Sequence, residues 1–285
     1  MNLSETIKSN AKINLSLDVL NLREDGYHNI DSIFQEISLH DTISISINKT
    51  SEIKVSTNVS NIPNNEKNIA FKAAKMYLEH VQEQSLGVEI FIDKKIPSEA
   101  GLGGGSSNAA SVLTTLDKLL NFNVPKDNIF KIASKIGADV PFFLIGGICH
   151  ITGIGEQITQ VENMSKFHIL VAKGSNGIST ASAYKKIDAL TNRSHHDTAK
   201  ILNAISKNDI FSLSKECLNT FELVTEDTDV FKIKNIMINN GAIFSLLSGS
   251  GSSVFGIFEN ENHANNCNSI LKATFPFCES CSNII

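Results

Sequence analysis

Residues 101–108 read Gly–Leu–Gly–Gly–Gly–Ser–Ser–Asn. Glycines let a backbone approach a ligand without a Cβ in the way. Where such a run opens a helix, several backbone N–H groups point at one spot on the positive end of the helix dipole, which suits a phosphate. Ser106 and Ser107 can cap that helix and also reach a phosphate oxygen or a metal ion. A flexible linker is the competing reading of the same composition. The flanks argue against a linker. Val88, Ile90 and Ile92 alternate with polar residues, which predicts a strand. From Ser106 to about Leu120, Ala109, Ala110, Val112, Leu113, Leu116 and Leu120 mark one face of a helix. Strand, glycine loop and helix together make a phosphate cradle. It is not a Walker A loop, because no Lys follows the glycines, and it is not a dinucleotide fingerprint, because Ser106 holds the third glycine position and a second helix follows.

Other chemically able residues are less distinctive by themselves. Asp139 lies in Gly–Ala–Asp–Val–Pro, and on residue type alone it is a turn former bonding its own backbone. Lys12 lies on the polar side of an alternating strand, where a solvated or snorkelling lysine is the ordinary reading. Asn14, two residues on, shares that face. Tyr27 and His28 follow a turn glycine, as a surface aromatic and a turn histidine would. Ser248–Gly249–Ser250–Gly251 reads as a β-turn between strands.

The chain has 285 residues, 41% of them hydrophobic and 19% charged, enough for one large or two ordinary domains with a sizeable core. A net charge of −5 leaves no basic surplus for a nucleic-acid backbone, so a polyanionic ligand must be held by local features. The first residues lack the apolar stretch of a signal peptide, and no run approaches the roughly 18 apolar residues of a membrane span. The expectation is a cytoplasmic protein with no membrane or nucleic-acid partner. The five cysteines are odd in number and irregular in spacing, which argues against a disulfide framework. Cys278 and Cys281 form a lone C-x-x-C, a weak metal or redox signal. His195–His196 reads as a solvated loop or helix start.

The elements that must position these residues follow from periodicity. Ala11, Ile13, Leu15, Leu17 and Val19 alternate as a half-buried strand, Asp25–Gly26 turns the chain, and Ile43, Ile45 and Ile47 alternate again. Helical patterns cover about 66–83, 106–120 and 126–136, the last stopped by Gly137. Strands are expected near 148–152 and 167–173, then helices around 180–190, 197–206, 208–217 and 228–240. A strand–loop–strand (AIFSLLSGSGSSVFGIF) and a helix near 261–272 complete the chain. Strands and helices fall in blocks, so the fold class is α+β with two lobes. The domains are expected at 1–158 and 159–285.

Pro97, Gly101–Leu102–Gly103, Ser106–Ser107 and the alanines after them resemble the phosphate loop of the GHMP kinases, the superfamily of galactokinase, homoserine kinase, mevalonate kinase and phosphomevalonate kinase. Gly103 to Asn108 points to the branch whose alcohol substrate carries a cytidine diphosphate. AKINLSL, DGYHNIDSIFQ, GADVPFFLIGG and LLSGSGSSVFGIF are similar to further motifs of that branch, in its order and over nearly the whole chain. The resemblance implies a two-lobed kinase, with an N-terminal lobe like ribosomal protein S5, a ferredoxin-like C-terminal lobe and the active site in the cleft between them.

The resemblance also assigns roles. It implies phosphoryl transfer from ATP, with Mg²⁺, to an alcohol, with Asp139 as the catalytic carboxylate and Lys12 beside it. Pro97, Gly101, Leu102, Gly103, Gly104, Gly105, Ser106, Ser107 and Asn108 would carry the ATP phosphates, with Ser107 near Mg²⁺, and Asn68 and Lys94 would lie around the nucleotide. Asn14, Tyr27, His28, Thr180, Tyr184, Gly249 and Ser250 would bind the substrate, with Tyr27 and Tyr184 covering the two faces of the base. The partner is then a small molecule, and the protein a monomer or weak homodimer. Glu99 puts a negative charge beside a phosphate site and is expected to point outward. Another GHMP small-molecule kinase, such as a homoserine or mevalonate kinase, and a catalytically silent binding protein on the same fold are the alternatives.

Overall fold

The computed structural model describes residues 3–162 and 164–285. The chain divides into two compact units. One takes the chain up to Ala11, His40–Ser98 and Gly103–Ile145. The other takes Lys12–Leu39, Glu99–Leu102 and Gly146–Ile285.

Strand β1 (Leu3–Leu22) and strand β2 (His28–Asn48) pair with each other, and each contributes residues to both units. In the first unit, Thr42–Asn48 of β2 pairs antiparallel with β4 (Gly87–Asp93), and β4 pairs parallel with β3 (Ile53–Thr57). A parallel pair needs a crossover, and α1 (Ile69–His80) supplies it. Helices α2 (Gly104–Leu120), α3 (Lys126–Ile136) and the single turn α4 (Phe142–Ile145) follow. Ile43, Ile45, Ile47, Ile90 and Ile92 point into one core with the buried faces of α1 and α2. Those faces are rich in alanine (Ala70, Ala73, Ala74, Ala109, Ala110), which lets the two helices lie close together.

In the second unit, Ser32–Gln35 of β2 pairs antiparallel with β5 (Ile148–Thr152), which pairs with β6 (Gln157–Gln160). A separate antiparallel sheet has the order β10–β7–β9–β8, built from β7 (His168–Lys173), β8 (Ala242–Leu247), β9 (Ser253–Phe258) and β10 (Phe277–Ser282). Every residue of β9 is buried, as a central strand covered on both faces requires. Helices α5 (Thr180–Asp188), α6 (Thr198–Ser206), α7 (Ile210–Glu216), α8 (Thr228–Asn239) and α9 (Glu261–Lys272) accompany these sheets. Each begins on a side-chain cap, from Ser179, Asp197, Asp209, Asp227 and Asn260 in turn.

The architecture is α+β, as the block pattern predicts. Apart from the single turn α4, for which no helix is expected, the helices fall close to their expected spans. Three strands carry too weak a pattern to be expected: β3 and β6 are short, and the polar β10 reads Phe–Cys–Glu–Ser–Cys–Ser. Strand β1 departs in another way. Its polar side is not solvated, because Lys12, Asn14, Ser16 and Asp18 are all buried with the apolar side. Among the described residues, no helix is long and apolar enough to cross a membrane.

Candidate active site

The glycine loop leaves β4 through Lys94–Ser98 and enters α2. Gly103 is the N-cap of α2, in the left-handed region at φ +68°, and no side chain caps the helix. The helix therefore starts at Gly104, and Ser106 and Ser107 lie within its first turn rather than capping it. Its first intrahelical bond runs from Ser107 N to the Gly103 carbonyl at 2.9 Å. The N–H groups of Gly104, Gly105 and Ser106 precede that bond, at the positive end of a 17-residue helix. Gly105 is exposed and Ser106 half-exposed, so this end of the helix is open to an anion.

Beneath the loop the polar side chains are inward. Ser107 is 2% exposed, and its hydroxyl shares a 2.7 Å hydrogen bond with Ser9. Among the described residues, no group of three or more His, Cys, Asp or Glu could hold a metal ion. Asn108 and the Lys94 ammonium both bind the buried carboxylate of Asp41. Asn68 caps α1, with its amide oxygen accepting from Ala70 N at 2.9 Å and its amide nitrogen donating to the Pro63 carbonyl at 2.7 Å. Pro97 is half-buried, and Glu99 is exposed. Asp139 is half-buried in the turn between α3 and α4, a turn held by Val140 N to the Gly137 carbonyl at 3.2 Å.

The second unit assembles the other residues. Lys12 is 3% exposed, its ammonium donates to Asn14 Oδ1 at 2.7 Å and sits 4.3 Å from the centre of the Phe34 ring. A buried ammonium needs such partners, and together they fix the charge in one place. Asn14 spans the site. Its Oδ1 also accepts from Gly249 N at 2.9 Å, and its Nδ2 donates to Ser32 Oγ at 3.0 Å. The backbone of Lys12 donates to the Leu102 carbonyl at 3.0 Å. Strand β1, the first part of the glycine loop and the Ser248–Gly251 turn are thus joined by hydrogen bonds. Asn219, which no motif marked, completes this by donating to the carbonyls of Leu247 and Gly249 at 2.7 and 2.9 Å.

The aromatic residues meet in the same unit. The rings of His28 and Tyr184 stack at 4.9 Å with 22° between planes, and Tyr184 packs edge-on against Phe221 at 5.0 Å. His28 Nε2 donates to Asp188 Oδ1 at 2.6 Å, which fixes the imidazole. Tyr27 is 60% exposed and Tyr184 half-buried. Thr180, the first residue of α5, shares a 2.7 Å hydrogen bond with Ser250. Asp188 and Phe221 carried no sequence signal, since both are far along the chain from the DGYH segment.

Histidines cover the polar side of β1. Ser16 Oγ lies 2.6 Å from His196 Nδ1, and His195 Nδ1 lies 2.8 Å from Asp18 Oδ2. His196 Nε2 and His150 Nε2 lie 3.3 and 2.9 Å from Asp31 Oδ1. The doublet stands just before Asp197, the N-cap of α6, so it is a helix start as expected; the His195 side chain is 50% exposed, whereas that of His196 is 1% exposed. Cys278 and Cys281 are free. Three residues apart on β10, they point to opposite faces. Burial pushes their thiols up to about 11 and about 12, where neither is a ready thiolate.

Residues 68–147 match the GHMP kinases N terminal domain, and residues 187–276 match the GHMP kinases C terminal domain. A 4-diphosphocytidyl-2-C-methyl-D-erythritol kinase of Alkaliphilus metalliredigens (strain QYMF) is 40% identical over 260 residues, 90% of this chain and 89% of that protein. The crystal structure of a 4-(cytidine 5'-diphospho)-2C-methyl-D-erythritol kinase superposes with a TM-score of 0.82 at 29% identity, covering 98% of this chain and 99% of that one. A homoserine kinase from Cytophaga hutchinsonii reaches 0.77 at 15% identity, covering 100% of this chain and 96% of that one, a likeness of fold alone. The order of the four motifs, the two-sheet α+β architecture and these matches agree, and the chain belongs to the GHMP kinases, a family of ATP-dependent kinases.

Proposed function

We propose that this kinase transfers the γ-phosphoryl group of ATP to the tertiary 2-hydroxyl of 4-diphosphocytidyl-2-C-methyl-D-erythritol, giving the 2-phosphate and ADP in the non-mevalonate route to isopentenyl diphosphate. The observation that carries the choice of substrate is the His28–Tyr184 stack, fixed by Asp188. It provides an aromatic surface and a polar edge, the two features that recognise a nucleobase. A homoserine or a mevalonate offers no base to such a surface.

The proposal gives each group a task. The open N-terminus of α2, at Gly104, Gly105 and Ser106, receives the ATP phosphates. Mg²⁺ bound with the nucleotide would offset phosphate charge, with Ser107 at the start of α2 as the residue near it. Asp139 accepts the proton of the substrate hydroxyl. Lys12 orients that hydroxyl and offsets the charge on the transferred group. A cation already fixed by Asn14 and Phe34 does this without reorganising during the reaction. Thr180, Gly249 and Ser250 hold the phosphate-bearing part of the substrate.

ADP release is the test, measured with the cytidine diphosphate alcohol, mevalonate and homoserine side by side. Turnover of the first alone is expected. Turnover of mevalonate or homoserine instead moves the chain to another branch, and nucleotide binding without turnover makes it a silent binder. Asp139→Asn is expected to lower kcat by about 10²–10⁴-fold, the range for a proton acceptor. A near wild-type kcat removes Asp139 from the chemistry.

A further inference from the structure

Asp41 lies on β2 and is 0% exposed. None of the motifs that mark the site includes it. Both of its oxygens are occupied. Oδ1 accepts from the backbone N–H groups of Lys95 and Ile96, each at 2.8 Å. Oδ2 accepts from Asn108 Nδ2 at 2.9 Å and from the Lys94 ammonium. Asn108 Nδ2 also donates to Ser9 Oγ at 3.1 Å, and Ser9 Oγ meets Ser107 Oγ at 2.7 Å. One carboxylate therefore ties together β2, the segment leaving β4 and the start of α2. Ser9 extends the tie to β1. All of these groups belong to one unit.

The electrostatics give this tie a direction. A Cβ on Gly104 would lie 3.2 Å from Lys94 Nζ, so the ammonium rests against the first residue of α2. The N-terminus of a helix carries partial positive charge, and an unpaired cation there opposes the helix. Asp41 supplies the opposite charge from below and leaves the outer side of the turn to the ligand. It also holds the two backbone groups that lead into the loop. The carboxylate thus holds the Lys94 charge against the first residue of α2 and ties the Asn108 side chain to the segment that leads into the loop.

We propose that Asp41 is the positioning residue of the phosphate loop. It touches no reacting atom and acts through Asn108, Lys94 and the Lys95–Ile96 backbone, so that the N–H groups of Gly104 to Ser106 are preset for the nucleotide. This rests on the reading that the loop receives ATP.

Two variants of the full chain test it. Asp41→Asn keeps the size of the side chain but turns one acceptor into a donor among donors. Ser9→Ala removes only the hydroxyl between Asn108 and Ser107 and leaves the buried charges in place. The KM for ATP is expected to rise about 10-fold or more in Asp41→Asn and about 3-fold in Ser9→Ala, with the KM for the alcohol within about 2-fold of wild type. Direct titration with ATP should give the same order. A role in folding alone would lower the amount of active enzyme without splitting the two KM values. Unchanged ATP affinity in both folded variants, or equal rises in both KM values, overturns the inference. If Asp41→Asn does not fold, Ser9→Ala decides by the same criterion. A wild-type chain that binds no ATP instead overturns the reading of the loop itself.

Discussion

A Cβ placed on Gly101 would lie 1.9 Å from the carbonyl oxygen of Ser248. Two glycine motifs, 147 residues apart in the chain, therefore meet backbone to backbone. The contact is fastened by Ser248 Oγ, which donates to the Gly101 carbonyl at 3.0 Å, and by Ser253 N, which donates to the Ala100 carbonyl at 3.3 Å. Gly101 is glycine for two reasons. Its φ of +73° is costly for other residues, and there is no room for a side chain.

Gly101→Ala should accordingly be among the most damaging single changes in the loop. The strained backbone and the clash with a carbonyl, which cannot rotate away like a side chain, add up to about 3 kcal/mol or more. Gly105→Ala is the control for stability. Its Cβ would meet only the Ile69 side-chain end, at 3.2 Å, in an ordinary helical conformation. Urea unfolding of the two variants should show a large drop in midpoint for the first and a change within about 0.5 kcal/mol for the second. Equal midpoints would show that the meeting of the two motifs is not needed for the fold.

Tyr184 should separate the two substrates. Replacing it with Leu keeps an apolar side chain on α5 but removes the ring that stacks on His28 and packs on Phe221. Stacking on a base is worth about 1–3 kcal/mol, so the KM for the cytidine-bearing alcohol should rise by about 5- to 150-fold. The KM for ATP should stay close to wild type. Initial rates with each substrate varied in turn give both values, and a rise confined to ATP would move Tyr184 out of the alcohol site.

Why some of this was legible in the sequence and some was not has a physical basis. Regular elements show as periodicity, so β4, α2 and α3 were readable from Ile90 and Ile92, from the alanine stripe after Ser106, and from Gly137. The glycine loop was readable because its composition has few other uses between a strand and a helix. Burial of polar residues was not readable. Lys12, Asn14, Ser16 and Asp18 alternate as a solvated face would, and other segments cover them: Phe34 and Ser32 beside Lys12 and Asn14, and His195, His196 and Thr220 beside Ser16 and Asp18. Asp41, Asp188 and Asn219 escaped for the same reason, since each acts through a contact between segments distant in sequence. The helix N-cap was misread because Ser106 and Ser107 are good caps by type, whereas the turn into α2 demands the positive φ that Gly103 supplies.

Asp31 makes the covered side of β1 sensitive to acid. Burial alone would raise its carboxyl, but His150, His196 and Thr198 outweigh that and hold it well below the usual carboxylate range. His150 Nε2 donates to Oδ1 at 2.9 Å and Thr198 Oγ1 to Oδ2 at 2.6 Å. A group depressed on folding stabilises the native state above its unfolded value, about 3.9 for Asp, and loses that contribution as pH falls towards its folded value. The stabilisation from Asp31 is therefore complete at neutral pH and declines only in acid. Asp31→Asn, which keeps the shape but not the charge, should be clearly less stable than wild type at pH 7 and equally so at pH 5. Below about pH 4 the wild type should lose its advantage and the two urea midpoints should converge. A gap that stays constant to pH 3 would mean that Asp31 contributes only neutral hydrogen bonds, and that its charge does not hold the histidine segment onto β1.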